Sequence, residues 1–151
     1  MRRKDRETTR ETALEIADKC QFASLSMTDT TGLPYCVPIS TVRDGDAIYF
    51  HCAAEGKKLD CLRNNSRVCL VFVGDVSLVK DGFTVKYESA IISGSARELK
   101  GNEEKRLALR LISERFCPEN MPFFEKALER SLAVTSVWKV DIEEISGKKH
   151  D

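Results

Sequence analysis

Apolar and polar positions alternate with a period of two along most of this chain, and in four stretches the spacing lengthens to that of a helix. Thr8 followed by Glu11 fits a capping box, and Ala13, Leu14, Ile16 and Ala17 then form one apolar face, so the chain enters through a helix. QFASLSM (21–27) carries Phe22, Leu25 and Met27 among small polar residues. TDTTGLP supplies turn chemistry that folds this segment back on YCVPISTV as a first hairpin. RDGD (43–46) is a second turn signal, because Asp44 and Gly45 suit the positive backbone angles of tight hairpins, and DAIYFHC follows as a strand that should pair with YCVPISTV. Leu59 and Leu62 then recur at helical spacing, until Asn64, Asn65 and Ser66 stop the helix.

RVCLVFV (67–73) is apolar at every position but the first, which predicts a strand buried on both faces. GDVSLVKDGF reads as a loop with a short strand. KYESAIISGSARELK (86–100) reads as a long strand in which Gly94 permits a bend or bulge. NEEKRLALRLISERF and MPFFEKALERSL are amphipathic helices separated by Pro118. AVTSVWKVDIEEISGK (133–148) closes the pattern as a strand with Val134, Val137, Val140 and Ile142 as inward candidates. Strand-rich hairpins with helices set between them do not make the regular alternation of a parallel sheet. They predict a mainly β fold of the α+β kind, an antiparallel barrel with peripheral helices. The length of 151 residues fits one domain over 1–151.

Composition narrows the partners. Acidic and basic side chains balance at zero net charge, so no global field holds nucleic acid or an anionic membrane, and the opening MRRK reads as a solvated tail. No apolar run is long enough to span a bilayer. The six cysteines form no CxxC pair, and with His51 and His150 as the only histidines no metal site is expected. Free thiols and the lack of an apolar leader in MRRKDRETTRETALE fit a cytoplasmic protein.

DAIYFHCAAEGKK (46–58) carries the candidate chemistry. Strand alternation puts Tyr49 and His51 on one face and Ile48, Phe50 and Cys52 on the other. Ala53, Ala54 and Gly56 let a ligand approach the backbone, and the helix beginning there offers unpaired amides beside Lys57 and Lys58. Taken alone, the lysine pair would suit a solvated helix face. Its conjunction with VPIS, where Pro38 deletes a ladder donor and leaves backbone groups at Ile39 and Ser40 open, points instead to a bound phosphate ester.

The ordered blocks YCVPIS, DGDAIYFHCAAEGKKLDCLRNN, RVCLVFVGD and FTVKYESAIISGSA resemble the FMN-binding split barrel of the pyridoxamine 5'-phosphate oxidase superfamily. Within it they resemble the nitroimidazole-resistance (Nim) branch, along nearly the whole chain. The resemblance implies FMN as cofactor, with the backbone of Val37, Pro38, Ile39 and Ser40 along the ring and His51 and Cys52 flanking it. It also implies Lys57 or Lys58 on the phosphate, Ser89 as a polar contact, and a homodimer that holds FMN between subunits. Trp138 or Ile145 would then contribute from the partner. The place of His51, near the end of its strand and on the face of Tyr49, makes it the candidate catalytic residue, donating a proton to a small-molecule substrate such as a nitro compound.

The chain departs from the superfamily's namesake enzyme after the last strand, where SGKKHD lacks the arginine and histidine tail that grips pyridoxal phosphate. A flavin-dependent reductase is therefore the expected activity. A non-catalytic FMN- or haem-binding protein of the same fold and a structural dimer without a ligand are the competing readings.

Overall fold

The computed structural model describes residues 2–150; Met1 of the MRRK opening and Asp151 of SGKKHD lie outside the described residues. Helix α1 (Arg10–Lys19) is capped by Thr9, whose hydroxyl accepts from the Thr12 amide at 3.3 Å. The cap is one residue later than the Thr8–Glu11 box predicts. The backbone of Thr8 is tied to the last strand through its amide and the Gly147 carbonyl, 3.0 Å apart, which leaves Thr9 to face the helix.

The strands are β1 (Ala23–Thr28), β2 (Pro34–Ile39), β3 (Val42–Asp44), β4 (Ala47–Ala53), β5 (Arg67–Leu78), β6 (Val85–Glu98) and β7 (Thr135–His150). They form one antiparallel sheet in the order β2-β1-β5-β6-β7-β4-β3. The two edge strands of this order, β2 and β3, are joined by Ser40 and Thr41 alone. A two-residue link spans only about 10 Å even when extended. The sheet must therefore curl until its edges nearly meet, which makes it a split barrel.

That closure corrects the expected pairing of YCVPISTV with DAIYFHC. Residues 34–39 pair with β1, from Ala23 opposite Ile39 to Thr28 opposite Pro34, and only the short β3 pairs with β4 through the turn at Gly45, φ +57°. Pro38 lies on an edge strand, where its missing amide costs no ladder bond on the open side.

RVCLVFV is buried on one face rather than two: Val68, Leu70 and Phe72 enter the core, whereas Val73 is 60% exposed. GDVSLVKDGF divides into a strand and a loop, as expected, but its strand is the end of β5, which runs on to Leu78 past a register shift between Val73 and Val76 and forms a long hairpin with β6. Gly94 marks a second shift, where a side chain would collide with the Asp141 carbonyl of β7, so a close backbone approach fixes this glycine. Val134 precedes β7 and is exposed, while Val137 and Val140 are buried on opposite faces of it.

Two cores result. The larger one fills the barrel with Leu25, Ile48, Phe50, Leu70, Phe72 and Ile92, and α1 adds Ile16 and α2 (Lys57–Asn64) adds Leu59 and Leu62. The smaller one lies outside the β4–β7 ladder, where Leu109 of α3 (Asn102–Phe116) and Phe124 and Leu128 of α4 (Phe124–Ser131) cover Val137 and Tyr49.

Candidate functional site

Strand β4 ends where the barrel seam opens. Its alternation turns Ile48, Phe50 and Cys52 inward, and the chain then leaves the sheet through Ala53. Gly56, at φ +128°, holds a backbone conformation that side chains disfavour, and its carbonyl accepts the amides of Leu59 and Asp60 at 2.8 and 3.3 Å to start α2. The glycine brings no capping side chain, so the first amides of α2 stay available to an anion. A cleft of about 270 Å3 opens here, lined by Tyr35 and Val37 of β2 and by Cys52, Gly56, Lys57 and Lys58.

The charges of the cleft are arranged by neighbours. The Lys57 ammonium lies 3.3 Å from the Asp29 carboxylate and 4.7 Å from the centre of the Tyr35 ring. Lys58 is half-buried with its ammonium 5.9 Å from the Phe50 ring centre. Asp29 is held well below the usual carboxylate range, first by the Thr31 hydroxyl and then by the Leu33 and Thr31 amides. Burial raises the Cys52 thiol against the opposing charge of Lys58, so it stays protonated at neutral pH. Surrounding protein mass, and secondly Lys58, lower the pKa of His51 although its side chain is exposed.

The cleft brings together Val37, Cys52, Lys57 and Lys58 of the expected set. Pro38 is exposed on the adjoining edge, Ile39 is buried in the barrel core, and Ser40 sits at the crossing between sheet edges. His51 shares a face with Tyr49, as its position on the strand predicts, but that face is turned away from the side Cys52 lines. Ser89 lies on β6, opposite Val73 and Lys148 and three strands from β2. Trp138 is 2% exposed and packed in the barrel core, with Ile145 packed against it, so the indole has no surface to offer another chain. Tyr35 and Asp29 escaped the sequence reading. The alternation of YCVPI puts Tyr35 on the same face as Val37, and TDTTGLP already contained the aspartate, yet only the folded hairpin carries both to Lys57.

The donor set suits a phosphorylated planar molecule: two ammonium groups and free helix amides at one end, an aromatic and an aliphatic side chain beside an open sheet edge at the other. A larger cleft of about 310 Å3 at Lys19, Asp75, Tyr87, Glu88, Lys149 and His150 fits less well. There Lys19 is paired with Asp75 and Glu88, both of which line the cleft themselves, and the lining comes from strands and the last residue of α1, so no helix start supplies free amides.

The profile of the pyridoxamine 5'-phosphate oxidase family matches residues 9–149. The chain belongs to this family. Comparison with curated proteins finds no match. Among solved structures, family likeness extends to a candidate 5-nitroimidazole antibiotic resistance protein from Bacteroides thetaiotaomicron. That protein is 26% identical over 93% of this chain and 84% of its own, with a TM-score of 0.78. An FAD- and haem-binding protein from Mycobacterium smegmatis is 21% identical over 97% of this chain and 74% of its own, at a TM-score of 0.81. A flavocytochrome from Azotobacter vinelandii is 21% identical over 95% of this chain and 68% of its own, at 0.75. The last two likenesses extend to the fold alone. Among the described residues no helix is long and apolar enough to cross a membrane, and no cluster of histidine, cysteine and carboxylate side chains could hold a metal ion.

Proposed function

We propose that this chain is an FMN-binding oxidoreductase that acts as a homodimer and reduces small molecules such as nitroimidazoles or other nitro compounds. The observation that carries the reading is the cleft itself, where Lys57, Lys58 and the α2 amides stand at one end of the Tyr35–Val37 edge. Charge-assisted hydrogen bonds from these groups to a phosphate dianion contribute on the order of 1.5–3 kcal/mol each.

The cleft volume of about 270 Å3 falls just under the roughly 300–1,000 Å3 usual for ligand pockets. One chain would therefore hold the phosphate end and leave the ring uncovered. A second copy completing the site is consistent with the exposed apolar side chains Val73 and Ile91 on the outer face of β5 and β6. Bound FMN, once reduced by hydride from a nicotinamide donor, would supply the electron pair for reduction. The residues of this chain would orient it: Lys57 and Lys58 would fix the phosphate and Val37 and the open backbone of β2 would support the ring, while His51, on the β4 face turned away from the cleft, would donate a proton to an acceptor only where the ring reaches past the end of that strand.

The absorbance spectrum of the isolated protein is the first test. A flavin spectrum is expected, with FMN bound at least about tenfold more tightly than riboflavin, the difference of one charge-assisted hydrogen bond. Turnover of a nitroaromatic with reduced nicotinamide then separates an enzyme from a flavin carrier. A Soret band would favour haem binding instead, and equal affinity for FMN and riboflavin would refute the phosphate site.

A further inference from the structure

The β1–β2 turn holds a carboxylate whose two oxygens do different things. Asp29 Oδ1 accepts from the Thr31 amide at 2.9 Å, the Thr31 hydroxyl at 2.7 Å and the Leu33 amide at 3.0 Å, which fixes the turn. Oδ2 faces the Lys57 ammonium at 3.3 Å. The aspartate is nearly buried, at 9% exposure, although it belongs to a surface turn. Lys57, by contrast, has an exposed side chain, and a free lysine there would sample many rotamers. Tyr35 faces Met27 in the ladder of the same hairpin, and the ammonium lies over its ring, 4.7 Å from the centre.

We infer that Asp29 is a positioning residue for phosphate recognition: it holds the Lys57 ammonium against Tyr35 at the cleft wall, so that the lysine meets the phosphate ester already oriented. The inference rests on the proposed phosphate site. Tyr35 and Lys57 line the cleft, whereas Asp29 stands behind the ammonium and outside the lining. An ammonium has three donors. One directed to Asp29 leaves two for the ligand. The hairpin β1–β2 thereby reaches across to the first residue of α2 and sets the geometry of a site to which it adds no positive charge of its own.

Two opposing effects follow from the carboxylate. It removes the rotameric freedom of Lys57 in advance, which favours binding, and it lies on the far side of the ammonium from a dianion, which opposes binding. The proposal requires the first effect to prevail while Lys57 is present and only the second to survive when Lys57 is gone. The sign of the Asp29 effect should therefore depend on Lys57.

Asp29→Asn suits the test, because the amide side chain keeps an oxygen acceptor for the turn and replaces only the oxygen that faces Lys57. Flavin-fluorescence titrations of the full chain with FMN and with riboflavin would compare wild type, D29N, Lys57→Met and the double variant. D29N is expected to weaken FMN about three- to tenfold and to leave riboflavin unchanged. In the K57M background the same substitution should leave FMN affinity unchanged or tighten it. An equal loss in both backgrounds would mean that Asp29 acts through the fold of the hairpin, and wild-type FMN affinity in D29N would mean that it does not act at all; either overturns the inference. Wild-type FMN affinity in K57M would take Lys57 out of phosphate recognition and overturn the positioning role, whereas equal affinity of the wild type for FMN and riboflavin would overturn the phosphate site itself.

Discussion

Phe50 and Trp138 face each other across the β4–β7 ladder with ring centroids 6.4 Å apart and planes 5° from parallel. The indole N–H donates to the Ser136 hydroxyl at 2.9 Å, and that hydroxyl donates to Glu98 at 2.7 Å. The pair makes Trp138 a core residue of its own barrel. Trp138→Ala should cost about 3–5 kcal/mol, as large aromatic truncations in packed cores do. Denaturant unfolding followed by far-ultraviolet circular dichroism measures this directly. A loss below about 1 kcal/mol would mean that the indole is not packed in this way.

Glu98 continues the same network toward α2, with Arg63 at 3.1 Å and Lys100 at 2.6 Å. Burial works to raise its pKa, but the hydrogen bonds from Lys100, Ser136 and Arg63 prevail and hold it at about 2. The folded value lies below the unfolded one, so its contribution to stability is complete above about pH 4.5 and is lost as pH falls toward about 2. Asp29 is shifted in the same direction and adds to the same acid limb. Glu98→Gln should lower the melting temperature at neutral pH and flatten its dependence between about pH 4.5 and 2. Thermal melts across that range test both effects, and an unchanged slope would sink the assignment.

His51→Gln should retain FMN and reduce turnover, by roughly ten- to ten-thousandfold if the imidazole serves as a positioned acid. Because the surrounding protein and then Lys58 disfavour the imidazolium, the wild-type rate should fall as pH rises through a midpoint below the ordinary value of about 6.5. Steady-state rates on a nitroaromatic, recorded from acid to mildly alkaline pH for both proteins, decide the point. Coinciding profiles would remove His51 from the chemistry.

Val73→Glu places a charge on the exposed apolar face of β5, where the proposed dimer would bury it. The variant is expected to sediment as a monomer at micromolar concentration and to bind FMN more weakly, since a ligand held between chains stabilises their association. A wild-type protein that sediments as an FMN-loaded monomer would contradict the dimer.

Local pattern was sufficient wherever a neighbour in sequence is also the neighbour in space. The turn at 29–33 joins two adjacent strands, so TDTTGLP sufficed to predict the β1–β2 hairpin. The alternation of IYFHC is a property of one strand, so the separation of Tyr49 and His51 from Phe50 and Cys52 followed from period alone. Gly94 was legible as a bulge because a glycine inside a long β pattern has few other uses. Gly56 and the two lysines marked the start of α2 for the same local reason.

Tertiary structure decided what depends on strands distant in sequence. Period shows which residues share a face, but not what covers that face. Cys52 thus enters the cleft, His51 lies on the opposite side, and Trp138 is enclosed by the barrel rather than presented to a partner. The separation of β2 from β4, which pairs only with the short β3 and with β7, follows from closing the whole sheet around one core, a sum of burial over all its strands that no single segment contains. The contact of Asp29 with Lys57 joins residues 28 positions apart through that closure. Each looks like an ordinary surface charge in the sequence, and only the folded chain makes them a pair.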